Sequence, residues 1–133
     1  MLLYESDYLT IKWDDTIKGA IVKRVGFAVS EKFRFHNLKL IEIFRERKIT
    51  QFISDVTEMK VISQEDQNWF SEEFFPQLYR SGLRYMVVIP PVSAIAKLSV
   101  GEVERIATRA GIEVKIVSDY EEAANWLRSK KLF

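Results

Sequence analysis

Leu9, Ile11 and Trp13 alternate with Thr10 and Lys12, the two-residue period of a strand with one face buried. Asp14-Asp15-Thr16 is a short polar turn, and Ile17 to Val25 reads as the returning strand. Residues 2–5 supply a further short strand, turned back through Ser6-Asp7. The first quarter of the chain is thus predicted to be an antiparallel meander.

The period then changes. From Ser30 to Lys48, Phe33, Leu40, Ile41 and Phe44 share one helical face, with Leu38 at its margin and Phe35 and Ile43 off it. Ser30 is the expected cap and Glu31 suits the positive end of the helix dipole. Ile49 to Val56 returns to strand character. Ser63 caps a second helix, with Asp66 at its third position, and Gly82 closes it in the left-handed conformation. Pro76 falls inside this helix and should kink or split it near Glu72–Phe75, because proline lacks an N–H and its ring crowds the preceding turn.

Leu83 to Ile89 is almost wholly apolar and stops at Pro90, as a parallel strand covered on both faces does. Ser99 and Glu102 are spaced as a capping box ahead of a stripe of Val103, Ile106, Ala107 and Ala110, which Gly111 ends. Ile112, Val114 and Ile116 alternate with Glu113 and Lys115 as a last strand. Asp119 then caps a helix bearing Tyr120, Ala123, Ala124 and Leu127. The order β-β-β-α-β-α-β-α-β-α predicts a single α/β (mixed α+β) domain over residues 1–133, a mixed sheet whose antiparallel meander is followed by parallel βα units.

Composition narrows the chemistry. Cysteine is absent and there is one histidine, which removes thiol nucleophiles and thiolate zinc sites and leaves little for a histidine-based metal site. No cofactor or metal is expected. The net charge of +1 supplies no excess to attract a polyanion, and residues 49–91 hold three basic against six acidic residues, so no nucleic-acid partner is expected. The start of the chain meets Glu5 and Asp7 at once, without a basic or long apolar leader, and no apolar run reaches the ~20 residues of a membrane span. A cytoplasmic location is the expectation.

Three places could carry function. His36 is the only imidazole and reads as a partly exposed surface residue beside Arg34 and Lys39. Asp55 lies near the carboxyl end of its strand, where ligands bind in parallel sheets, and Thr57, Ser93 and Ser118 are expected at the same edge. Either these groups form a small polar pocket, or Asp55 only accepts backbone N–H bonds in its loop. The third place is the aromatic run after Ser63. Phe70, Phe74 and Leu78 should face the sheet, while Trp69, Phe75 and Tyr79 spill onto adjoining faces as a partner surface, a lipid surface or a pocket wall.

The stretches ISDVTEMKVISQEDQNWF (Ile53–Phe70), GLRYMVVIP (Gly82–Pro90) and EEAANWL (Glu121–Leu127) resemble bacterial STAS/SEC14-type proteins of the SpoIIAA-like fold group. The resemblance covers most of the chain from about Leu9 onward and rests on hydrophobic patterns with a few polar anchors. It implies a mixed sheet with helices and a role as a protein-binding regulator, as in anti-sigma-factor antagonists and transporter appendages. Similarity of the group to lipid-binding CRAL-TRIO domains implies an apolar ligand as the alternative. The antagonists carry a phosphorylated serine in a D-S-S-G motif, but that place here reads Ser63-Gln64-Glu65-Asp66, with Ser63 at the family's aspartate. Gln64 and Glu65 cannot be phosphorylated.

The expected function is a non-enzymatic STAS-like regulatory or binding module for a protein partner or small ligand, with homodimerisation a further expectation. The alternatives are a carrier of a lipid or other apolar ligand and, third, a small-substrate enzyme using Asp55 with His36. The enzyme requires those two side chains to meet at one reacting group.

Overall fold

The computed structural model describes residues 1–26 and 30–130. Strands β1 (Leu2–Glu5), β2 (Leu9–Asp14) and β3 (Gly19–Gly26) form the antiparallel meander, and β4 (Gln51–Met59), β5 (Tyr85–Ile89) and β6 (Glu113–Ile116) extend it in parallel. Their order across the six-stranded sheet is their order in the chain. The β2–β3 turn forms because the Asp14 carboxylate accepts both the backbone N–H and the hydroxyl of Thr16, at 2.8 and 2.6 Å. Ile17 belongs to this turn rather than to the strand, and Gly19 opens β3 where the carbonyl oxygen of Gln51 would lie 2.4 Å from any Cβ.

Helix α1 (Ser30–Arg47) and the chain segment 64–81 cover one face of the sheet, together with α4 (Ala94–Arg109). Phe33, Leu40 and Phe44 of α1 pack there with Leu9, Ile11, Val22 and Phe52 of the strands. The off-stripe Phe35 and the marginal Leu38 are about half exposed, while the off-stripe Ile43 is partly buried against the core. The opposite face carries α5 (Tyr120–Arg128), whose Ala123 and Leu127 pack against Ile53, Val87 and Ile89. Double coverage explains the unbroken burial of Gln51–Val56 and Met86–Ile89, since central parallel strands have no wet side.

Several boundaries differ from expectation. The strand predicted from Ile49 starts at Gln51, because the Ile49 N–H donates to the Phe44 carbonyl at 3.0 Å and closes α1 behind Lys48 at φ 54°. The interruption expected near Pro76 is a π-turn rather than a break. Helix α2 (Gln64–Trp69) runs into a π-turn (Phe70–Phe74) and on into α3 (Phe75–Ser81), with the Phe75 N–H donating five residues back to the Phe70 carbonyl. The wider turn lets the chain pass a proline that cannot donate, without a break. Ser63 does cap α2, accepting from the Asp66 N–H at 3.1 Å, and Gly82 ends α3 at φ 117°.

Helix α4 corrects the capping box. It begins at Ala94, with the Ser93 carbonyl accepting from the Lys97 N–H at 3.0 Å, so Ser99 is a buried interior residue and caps nothing. Its first turns are invisible to periodicity because Ile95 and Leu98 are 67% and 74% exposed. Asp119 caps α5 as expected, its carboxylate accepting from the Glu122 N–H at 2.8 Å. Ile116 faces outward on the edge strand rather than into a core. No described helix is long and apolar enough to cross a membrane.

Candidate ligand cavity beneath the aromatic helix

The carboxyl edge of the parallel strands holds Asp55, buried on the α5 face. One carboxylate oxygen accepts from the Thr57 N–H and hydroxyl, at 3.1 and 2.7 Å, and the other accepts from the Tyr120 hydroxyl at 2.5 Å. Asp55 thus accepts a backbone N–H in its own loop, and its other partner is Tyr120 rather than Ser93 or Ser118. Ser118, at the same end, is exposed and donates its backbone N–H to Glu122 at 3.1 Å, while exposed Ser93 starts α4. Burial pushes the Asp55 pKa up, but the bonds from Tyr120 and Thr57 and the charge of Lys23 outweigh it, leaving Asp55 below its ordinary value. Burial and the same carboxylate push Tyr120 above its ordinary range. The arrangement clamps β4 to α5.

Tyr120→Phe should accordingly destabilise the fold by about 1 kcal/mol at neutral pH, a bond to a charged acceptor discounted for the partly exposed tyrosine. Because the folded pKa of Asp55 is depressed, this stability is present above its unfolded value near ~4 and is lost as pH falls through the folded value. The gap between wild type and variant in urea midpoints should close with acidification. A gap independent of pH would contradict the clamp.

His36 is half-buried on α1, and its Nδ1 lies 2.8 Å from the Tyr4 hydroxyl. Burial, followed by the charges of Lys32 and Arg24, lowers its pKa. It sits on the α1 face of the sheet and Asp55 on the α5 face, so the two do not meet at one reacting group.

The aromatic run is packed inward more completely than its sequence implies. Phe75 is 2% exposed, edge-on to Phe70 and Phe74 with ring centres 5.3 and 5.0 Å away. This corrects its placement on an adjoining face: the π-turn rotates the chain after Phe70 and carries Phe75 into the core. Trp69 is half-buried, stacked on Phe74 at 5.9 Å with the Arg34 guanidinium over its ring. Tyr79 alone of the three is exposed, and the Arg84 guanidinium lies 4.1 Å above it.

Beneath the π-turn, against the face of β4 and β5, lies a cavity of about 30 Å³. Phe70, Phe74 and Phe75 roof it, Val56 and Val88 form its floor, and Val100 and Val103 of α4 close one side. Its polar lining comes from Ser54 and Arg24. Arg24 is 5% exposed, its guanidinium lies 5.8 and 5.9 Å from the centres of Phe70 and Phe74, and its Nη1 has no hydrogen-bond partner among the described residues. Among the described residues no carboxylate comes within 4.0 Å of it. Burial lowers the pKa of Arg24, against the partial support of the neighbouring Tyr8 hydroxyl.

Local structure explains how an arginine reaches that position. Ala20, Val22 and Arg24 alternate on the core face of β3, and Arg24 pairs with buried Leu9 of β2. On its other side the β3–β4 register slips, from Lys23 opposite Asp55 to Val25 opposite Glu58, so β4 carries one extra residue beside Arg24. Bulges of this kind re-aim side chains and occur preferentially near functional sites. The two-residue alternation through Ala20 and Val22 already marks Arg24 as core-facing in the sequence, a signal that the overall charge count conceals.

Sheet order, parallel half and helix placement together define a SpoIIAA-like fold. The chain superposes on the crystal structure of an uncharacterized DUF3478-family protein with a SpoIIAA-like fold from Shewanella loihica PV-4, with a TM-score of 0.58 and 16% identity over 94% of this chain and 99% of that one. No protein-family model matches the sequence, and no curated protein matches it.

Proposed function

We propose that this protein is a non-enzymatic binding module that holds a small, largely apolar molecule between the sheet and the Phe70–Phe74 π-turn. The observation that carries this reading is the largely apolar cavity between the sheet and the helix, with Arg24 and Ser54 as its polar groups and a roof formed by a helix segment outside the ordinary α-register. In this closed form the space is about that of one water molecule. Uptake of a ligand is therefore coupled to outward movement of the π-turn. The surface alternative, a protein docking on the aromatic helix, retains Tyr79 but loses Phe75 to the core.

Native mass spectrometry of protein purified from several hosts tests the proposal. The expected result is an apolar adduct that is released on acid denaturation. Unliganded protein from every host, together with no binding of simple six-carbon alcohols or acids, would overturn it.

A further inference from the structure

We infer that the ligand carries a single negative charge, a carboxylate, whose oxygen takes the free Nη1 of Arg24 while its hydrocarbon part lies against Phe70, Phe74 and the valines of the cavity. The inference rests on the proposal that the cavity is the binding site, and adds the chemistry of the head group.

Removing a guanidinium from water costs several kcal/mol unless it is paired, and buried polar groups are ordinarily hydrogen-bonded. Among the described residues Arg24 lacks the ion pair, and its Nη1 lacks the hydrogen bond. It is 5% exposed, lacks a carboxylate partner among the described residues and leaves Nη1 unsatisfied in a space lined otherwise by apolar side chains and Ser54. The faces of Phe70 and Phe74 offset part of the cost, since aromatic rings attract cations, but they accept no N–H bond of ordinary strength. Asp66, the nearby buried acid, lines a separate crevice with Tyr8 and Phe33, and its own Oδ1 is unpartnered. Arg24 is thus a preformed cation awaiting an anion.

Charge arithmetic sets the class of that anion. One buried cation balances one negative charge, so a monoanionic carboxylate leaves no net charge in the cavity, whereas a dianionic phosphate leaves one. Ser54 places a hydroxyl in the lining of the same cavity. A cationic head group is excluded by repulsion, and a neutral alcohol can accept from the guanidinium but forgoes the ion pair.

Dissociation constants for hexanoate, hexanol and hexylamine, measured by ligand-observed NMR on the full chain, decide the matter. Wild type should bind hexanoate about tenfold or more tightly than hexanol, the ratio expected when a bond is to a charged group, and should not bind hexylamine. Arg24→Met should abolish that preference, so that hexanoate binds no more tightly than hexanol. Arg24→Gln provides a second neutral variant should the first fold poorly, and the wild-type ratio stands without either. Equal binding of hexanoate and hexanol by wild type would overturn the carboxylate inference and leave the cavity proposal intact. Retention of the preference by a folded neutral variant would also overturn it. Failure of wild type to bind any of the three would overturn both.

Discussion

Phe75→Ala should destabilise the protein by about 3–5 kcal/mol, the cost of emptying a buried aromatic site that its surroundings refill only in part. The ring is 2% exposed and packs edge-on against Phe70 and Phe74, so its removal both forfeits apolar burial and opens a void under the helix. Tyr79→Ala, four residues on, should cost about 1 kcal/mol or less, because that ring is 37% exposed and the Arg84 guanidinium lies over its face. Denaturant midpoints of the two variants separate core from surface on a single helix. If Tyr79 proved the costlier site, the inward rotation of Phe75 by the π-turn would be wrong.

Arg24→Met should act in the opposite direction and raise stability by about 1–3 kcal/mol, as hydrophobic replacements of buried charge commonly do. Methionine reaches a similar distance, adapts to irregular space and leaves no donor unpaired. Burial lowers the pKa of Arg24, so folding disfavours its charged form. Loss of the contacts with Phe70 and Phe74 offsets part of the gain, by about 1 kcal/mol. Thermal and urea unfolding of the unliganded protein give the sign directly. A variant less stable than wild type would mean that Nη1 is satisfied internally and that Arg24 is a structural residue.

These two residues also mark how far the sequence is legible. The sheet was readable because each strand announces its surroundings: Leu9, Ile11 and Trp13 alternate on a sheet with one covered face, while Met86–Ile89 run unbroken where both faces are covered. Asp119 and Gly82 declared helix ends through side-chain and backbone chemistry that operates locally. Ser99 shows the limit of such local signals, since its spacing to Glu102 imitates a cap inside a helix whose first turn exposes Ile95 and Leu98. The π-turn was foreshadowed by Pro76, but whether a proline bends, breaks or widens a helix is decided by what packs around it.

The candidate site was less legible because its defining contacts join distant segments. Tyr120 meets Asp55 across 65 positions, and neither residue type predicts the other. Arg24 faces rings near positions 70 and 74 only because β3 lies beside β4, with the π-turn above them. Alternation with Ala20 and Val22 identifies Arg24 as buried; only the fold identifies it as unpaired. Its lone Nη1 in an apolar cavity is what turns an aromatic helix of ambiguous purpose into a specific ligand proposal.

The most direct measurement is a hexanoate titration followed through the methyl NMR signals of the full chain. Saturable shifts at Val56, Val88, Val100 and Val103, which line the cavity, together with the Phe70 and Phe74 ring signals above it, are the predicted result. Unchanged signals at those valines, with any shifts confined to exposed methyls such as those of Val92 and Ile95, would contradict binding beneath the π-turn.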